Sequence, residues 1–159
     1  MHAKGSQKSE TSVGASELIQ DERKYFTYPH PFQLDSGASL PGFTLAYHTF
    51  GTLNETKDNV VWVVHALTGS SNPMEWWPGV VGSGCVIDPE KHFIICANCL
   101  GSPYGSTCAL SLNPVSGLPY YHDFPLITNR DIANSFELLR IHLNVDRIRL
   151  LAGASLGGQ

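Results

Sequence analysis

The residue with the clearest chemical potential is Ser155, which lies in the pattern Gly-Ala-Ser-Leu-Gly at positions 153–157. An alternating apolar run from Ile148 to Ala152 precedes it, so the serine is predicted to lie at a sharp turn from a strand into a helix. Glycines suit both ends of the pattern because side chains there would crowd neighbouring backbone. Such a turn exposes the serine hydroxyl as a nucleophile and puts the backbone N–H of Leu156 beside it, as one donor of an oxyanion hole.

A second interpretation of the same pattern is not catalytic: Ser155 would cap the next helix, or the glycine-rich turn would bind a phosphate. Two observations favour the nucleophile. The pattern follows a predicted buried strand, and an upstream strand, 60–64, ends in another loop of small residues, 65–71, that can supply the second oxyanion donor. His65 opens that loop, but hydrolases with this serine pattern place the acid and the histidine after the serine. We therefore interpret His65 as a residue that structures the loop.

Composition favours one globular domain that acts on a small molecule. The chain has 159 residues, of which 42% are hydrophobic and 15% charged, and its net charge is -4. No basic run is present to meet a phosphate backbone, so nucleic acid is not an expected partner. The longest apolar run, Val60–Val64, is too short to cross a bilayer, and the first ten residues lack the apolar core of a signal peptide. We expect a cytoplasmic protein without a membrane partner.

The four cysteines are expected to be reduced thiols, because no export signal precedes them. Cys96 and Cys99 form a C-x-x-C pair at the end of a predicted strand, but a second pair that could complete a zinc site is missing from the sequence. We interpret them as small buried residues and expect no metal.

The elements around these residues predict an α/β fold. Residues 1–24 are polar and aperiodic, which indicates a flexible segment ahead of one domain, 25–159. The domain opens with alternating residues and turn signals up to Gly51, which predict antiparallel strands. The continuous apolar runs Val60–Val64 and Phe93–Ala97 predict strands buried on both faces.

A helix is predicted after Thr128, with Thr128 as its cap and Asp131 as the capping-box partner. One apolar stripe follows at helical spacing: Ile132, Phe136, Leu139 and Leu143. A strand over 147–152 then leads to the serine, so the order of elements indicates a mostly parallel sheet with an antiparallel start. Trp76 and Trp77 leave two alternatives open, a substrate pocket or core filling.

Several separated motifs, taken together, resemble those of the homoserine O-acetyltransferase family of acyltransferases, which have the α/β-hydrolase fold. The resemblance covers residues 25–159 and departs from the family at Cys108-Ala109, where Gly-Pro would be expected. The motifs are His65–Gly69, W-W-P-G at 76–79, Phe93–Asn98, Gly105–Thr107, Asn113-Pro114, Asp123–Pro125, Thr128, Arg130-Asp131 and G-A-S-L-G-G-Q at 153–159.

The resemblance implies acyl transfer through an acyl-serine, as a step of methionine biosynthesis. Ser155 would attack the thioester of acetyl-CoA, and the hydroxyl of L-homoserine would then take the acetyl group. The N–H groups of Leu67 and Leu156 would hold the oxyanion, and one such donor typically contributes about 3 kcal/mol. Acetyl-CoA would be a substrate rather than a bound cofactor, and the full-length protein would be a homodimer.

The resemblance also implies that the acid and histidine of the triad follow Ser155, so we expect this chain to be the N-terminal part of a longer protein, truncated just after the serine turn. Alone it is expected to be inactive and poorly soluble, with an unpaired apolar edge on strand 147–152. Other interpretations stay open: a succinyl-CoA-using or serine-accepting transferase, a serine esterase or hydrolase of the same fold, and a non-catalytic binding module.

Overall fold

The computed structural model describes residues 22–159, and nearly all of the predicted flexible segment 1–24 lies outside the described residues. Within them, five strands form one sheet in the order β1-β4-β6-β5-β7. A separate two-stranded ladder pairs β2 with β3. The strands are β1 Lys24–Tyr28, β2 Phe32–Gln33, β3 Ser39–Leu40, β4 Phe43–Phe50, β5 Val60–Val64, β6 Phe93–Ala97 and β7 Leu150–Gly153.

The sheet changes from antiparallel to parallel across its width. Strand β4 pairs antiparallel with β1 and with β6, whereas β5 pairs parallel with both β6 and β7. The predicted α/β sheet with an antiparallel opening is therefore confirmed. Because β5, β6 and β7 run parallel, the loops that follow them meet at one edge of the sheet, where open α/β sheets bind ligands.

Helix α2, Asn129–His142, begins at the predicted cap. The Thr128 side chain accepts from the N–H of Asp131, and the Asp131 carboxylate accepts from the N–H of Thr128, which completes a capping box. Asp131 also accepts from the N–H of Asp35 at 2.9 Å, so this buried carboxylate ties α2 to the β2–β3 connection. Burial alone would raise the pKa of Asp131, but the hydrogen bonds from Thr128 and Asp35 lower it overall.

The core covers both faces of the sheet, because alternate residues of β5 point to opposite sides. Val60 and Trp62 pack on the α2 face with Phe136 and Leu139. Val61 and Val63 pack on the other face in a second cluster with Phe50, Val81, Ile87, Ile94 and Cys96.

Trp76 and Trp77 lie against that second cluster, and Trp76 ends the short helix α1, Pro73–Trp76. Their rings stack with centroids 5.5 Å apart, and the indole N–H of Trp76 donates to the carbonyl oxygen of Ser70 at 3.0 Å. Of the two alternatives for this pair, core filling is the one that the packing supports.

Strand β7 is shorter than predicted and begins later, at Leu150 rather than at residue 147. The reason is register: β5 starts at Val60, whose carbonyl accepts from the N–H of Arg149, and the first ladder pair joins Val61 to Leu150. Among the described strands β7 pairs with β5 alone. Leu150 and Leu151 are 44% and 65% exposed, so this end of the sheet has the apolar edge that the sequence predicts.

Candidate active site

Ser155 follows β7 after one residue, Ala154, and begins a short 3-10 turn, Ser155–Gly158. Its φ is +56°, in the left-handed region, whereas the preceding Ala154 is extended. For a residue with a side chain that conformation costs on the order of 1–3 kcal/mol, and it persists when the surrounding structure imposes it. The predicted sharp turn is present, with the serine as its strained residue.

The glycines on either side of Ser155 allow backbones to come very close. A Cβ atom on Gly153 would overlap the carbonyl oxygen of Gly157, and one on Gly157 would overlap the carbonyl oxygens of Val64 and His65. Neither position tolerates a side chain unless backbone moves. The turn therefore lies against the end of β5, beside the loop that begins at His65.

That loop forms a tight turn, which we call the oxyanion turn, residues 66–69. The N–H of Gly69 donates to the carbonyl oxygen of Ala66 at 2.8 Å, and Leu67 is the second residue of the turn. Within residues 22–159, the N–H groups of Leu67 and Leu156 have no hydrogen-bond acceptor. The site thus offers free backbone donors on two loops that follow neighbouring parallel strands, an arrangement suited to a developing oxyanion.

His65 is fully buried and bonds through both ring nitrogens. Nδ1 lies 2.7 Å from the carbonyl oxygen of Ala66, and Nε2 accepts from the N–H of Cys99 at 2.9 Å. Burial lowers the pKa of the ring, although the hydrogen bond to Ala66 opposes that shift. The interpretation of His65 as a loop-structuring residue is confirmed.

Sequence reasoning missed the polar side chains that follow β6. The carboxamide of Asn98 and the hydroxyl of Ser102 are buried without a hydrogen-bond partner in the described part of the chain. The signal that could have found Asn98 is its position directly after a buried parallel strand, at the ligand-binding edge of the sheet.

Cys96 and Cys99, the C-x-x-C pair, are buried thiols. Burial raises the pKa of Cys99 to about 11 and raises that of Cys96 further. A raised pKa disfavours the thiolate form of both residues, so neither sulfur has the environment of an activated nucleophile.

An apolar groove of about 300 Å³ lies between α2 and β7, next to the serine turn. Trp62, Phe136, Ile148, Leu151 and Leu156 contribute to its walls. No histidine or carboxylate in residues 22–159 bonds the Ser155 hydroxyl. The described residues also contain no helix long and apolar enough to span a membrane.

A strained serine after a parallel strand, between glycines and beside two free backbone donors, defines the nucleophile-bearing part of an α/β-hydrolase fold. Solved structures agree. The homoserine O-acetyltransferase of Bacillus anthracis superposes with a TM-score of 0.78 at 27% identity, over 86% of this chain and 40% of that one. The esterase E22 superposes with a TM-score of 0.76 at 28% identity, over 86% of this chain and 41% of that one.

The sequence comparison is more specific. Over 141 residues the chain is 53% identical to the homoserine O-acetyltransferase of Cyclobacterium marinum, a match that covers 89% of this chain and 40% of that protein. The resemblance to the homoserine O-acetyltransferase family is therefore confirmed. The chain spans about 40% of the length of the curated relatives that it matches. No protein-family model matches it.

Proposed function

We propose that this chain supplies the nucleophile and the oxyanion donors for transfer of an acetyl group from acetyl-CoA to the hydroxyl of L-homoserine. The observation that carries the proposal is Ser155 at φ +56° between close-packed glycines, in a chain 53% identical to a homoserine O-acetyltransferase. The reaction would serve methionine biosynthesis in the cytoplasm, and the whole protein would act as a homodimer.

In the first half-reaction the Ser155 Oγ attacks the thioester carbonyl carbon, and its proton passes to a base outside residues 22–159. The N–H groups of Leu67 and Leu156 donate to the developing oxyanion. The carbon–sulfur bond then breaks, and CoA leaves as a thiol with the proton that the base received. An acetyl-serine ester remains.

In the second half-reaction the homoserine hydroxyl attacks that ester and returns a proton through the same base. The serine–acyl bond breaks, Ser155 regains its proton, and the acetyl ester of homoserine leaves. The same two donors serve both steps, because each passes through a tetrahedral oxyanion at the same carbon.

An esterase is the second candidate, favoured by the structural likeness to esterase E22. The two functions share every step up to the acetyl-serine and differ in whether water or an amino-acid hydroxyl attacks it. The competing acceptors, homoserine, serine and water, and the competing donors, acetyl-CoA and succinyl-CoA, are therefore the variables of the test.

The test uses a chimera in which this chain replaces the 141 aligned residues of the Cyclobacterium marinum protein. We expect the chimera to release CoA from acetyl-CoA in the presence of homoserine, and faster than with succinyl-CoA, serine or water. The Ser155→Ala variant should lose at least about 10³-fold in kcat, as removal of a nucleophile does. Ser116→Ala, on an exposed loop, is the matched control and should leave turnover unchanged.

A folded chimera without turnover would contradict the proposal. Homoserine-independent hydrolysis at the full rate would instead support the esterase. The unfused chain is expected to show no turnover, and turnover by purified residues 1–159 would refute that expectation.

A further inference from the structure

We propose that His65 is the positioning residue of the oxyanion hole. Its ring fastens the oxyanion turn, and with it the N–H of Leu67, to the end of β6. This inference rests on the proposed function, because it concerns how one donor of that site is held in place.

The hydrogen bonds of His65 fix its tautomer. The backbone N–H of Cys99 can only donate, so Nε2 must carry a lone pair. In the neutral ring the proton is then on Nδ1, which donates it to the carbonyl oxygen of Ala66 at 2.7 Å. Both bonds form together in this one state, and an imidazolium would set an N–H against the N–H of Cys99.

Three segments of the site meet at His65. Its ring joins the oxyanion turn to the residue two positions after β6. Its carbonyl oxygen would be 2.9 Å from a Cβ on Gly157, so its backbone lies close to the serine turn. A Cβ on Gly69 would also come within 2.8 Å of the Cβ of His65, so the turn closes tightly over this residue.

The hydrogen bonds of His65 explain how the exposed oxyanion turn can keep the N–H of Leu67 in a fixed position. Leu67 is 71% exposed, and its side chain gives the turn little packing. An oxyanion donor contributes fully when it is fixed before the reaction, because reorganisation during the step would consume its stabilisation. The buried ring supplies that fixation from beneath the turn.

The test compares three replacements of His65 in the chimera. Leucine removes both hydrogen bonds, and we expect kcat to fall about 10- to 100-fold, with KM for acetyl-CoA within about twofold, because the donor acts mainly in the transition state. Asparagine puts an amide nitrogen near the Nδ1 position and should restore part of kcat by donating to Ala66. Glutamine puts an acceptor near the Nε2 position, bonds Cys99 instead, and should restore less.

The matched control is His48→Leu. His48 is also a buried histidine, but its Nδ1 bonds Ser71 at 2.9 Å, two residues beyond the oxyanion turn, and its ring stacks on Phe50, so it does not bond the turn itself. We expect this control to lower Tm while kcat per folded molecule is retained. An equal loss of kcat in the two leucine variants, or unchanged kcat in folded His65→Leu, would overturn the proposal.

A measurement independent of turnover completes the test. Nitrogen-15 NMR of the histidine-labelled chimera should show His65 with a protonated Nδ1 and a bare Nε2 at neutral pH. The opposite tautomer or an imidazolium would overturn the inference. An inactive parent chimera with the expected tautomer would instead count against the proposed function alone.

Discussion

The middle of the sheet and its β7 edge differ sharply in how their side chains are packed. In the middle, β5 and β6 have neighbours on both edges and side chains buried on both faces, with Val60, Val61 and Ile94 fully inaccessible. At the β7 edge, Leu150 and Leu151 are exposed, although the candidate nucleophile lies two residues after the end of that strand. The candidate nucleophile thus lies beside an exposed apolar edge of the sheet.

The contacts that hold the serine turn and the oxyanion turn are therefore different from the contacts that would bury the β7 edge. The serine turn is held by backbone contacts between Gly157 and the end of β5, and the oxyanion turn is held by His65. Both sets of contacts lie within residues 22–159. The exposed side chains of Leu150 and Leu151 take part in neither set of contacts.

The largest change in the free energy of unfolding is expected from a substitution in the core between α2 and the sheet. Leu139→Ala removes a fully buried side chain between α2 and the sheet, and should lower the free energy of unfolding of the chimera by about 3 kcal/mol. Leu151→Ala, at a 65% exposed position, should change it by less than about 0.5 kcal/mol in the unfused chain. Urea unfolding of each variant beside its parent measures both, and equal losses would contradict the contrast.

The next effect concerns the contact between the serine turn and β5. Gly157→Ala forces a Cβ against the carbonyl oxygens of Val64 and His65, and should cost about 1–3 kcal/mol of stability together with most of the turnover. Gly158→Ala is the matched control, because its nearest neighbour would be at an ordinary 3.6 Å. Urea unfolding and turnover are measured for both variants of the chimera. Equal stability and equal turnover in the two variants would show that the close approach of Gly157 to the end of β5 is not required.

The smallest effect is the pH dependence of the α2 cap. Asp131 has a lowered pKa in the folded protein, so its contribution is present above the ordinary pKa of about 4 and is lost as pH falls through the lower folded value. Asp131→Asn should cost about 1 kcal/mol at neutral pH and flatten the loss of stability below about pH 4. Asp123→Asn, at an exposed position, is the control. An unchanged acid profile in Asp131→Asn would contradict this role.

The fold was predictable where its signals are local. The cap at Thr128, the stripe through Phe136 and Leu139, and the apolar run Val60–Val64 each depend on neighbouring residues, and the structure bears them out. The start of β7 was not predictable from its own residues, because it is set by register against Val60, far away in the sequence.

The candidate site likewise has features that neighbouring residues predict and features that depend on contacts between distant residues. The glycines around Ser155 indicate a tight turn from sequence alone, and the structure shows which carbonyl oxygens they approach. The hydrogen bond from Cys99 to His65 spans 34 residues, so it could not be predicted from the sequence. The position of Asn98 after a buried strand could be predicted, but the burial of its carboxamide without a partner could not. Such contacts depend on which strands become neighbours.

The most direct test of the central claim is to identify the residue that becomes acylated. The chimera is mixed with acetyl-CoA without an acceptor, quenched in acid, and mapped by peptide mass spectrometry. We predict one acetyl group on Ser155, removed when homoserine is added before the quench and absent from Ser155→Ala. An acetyl group on another residue, or turnover without any adduct on Ser155 under single-turnover conditions, would contradict the account.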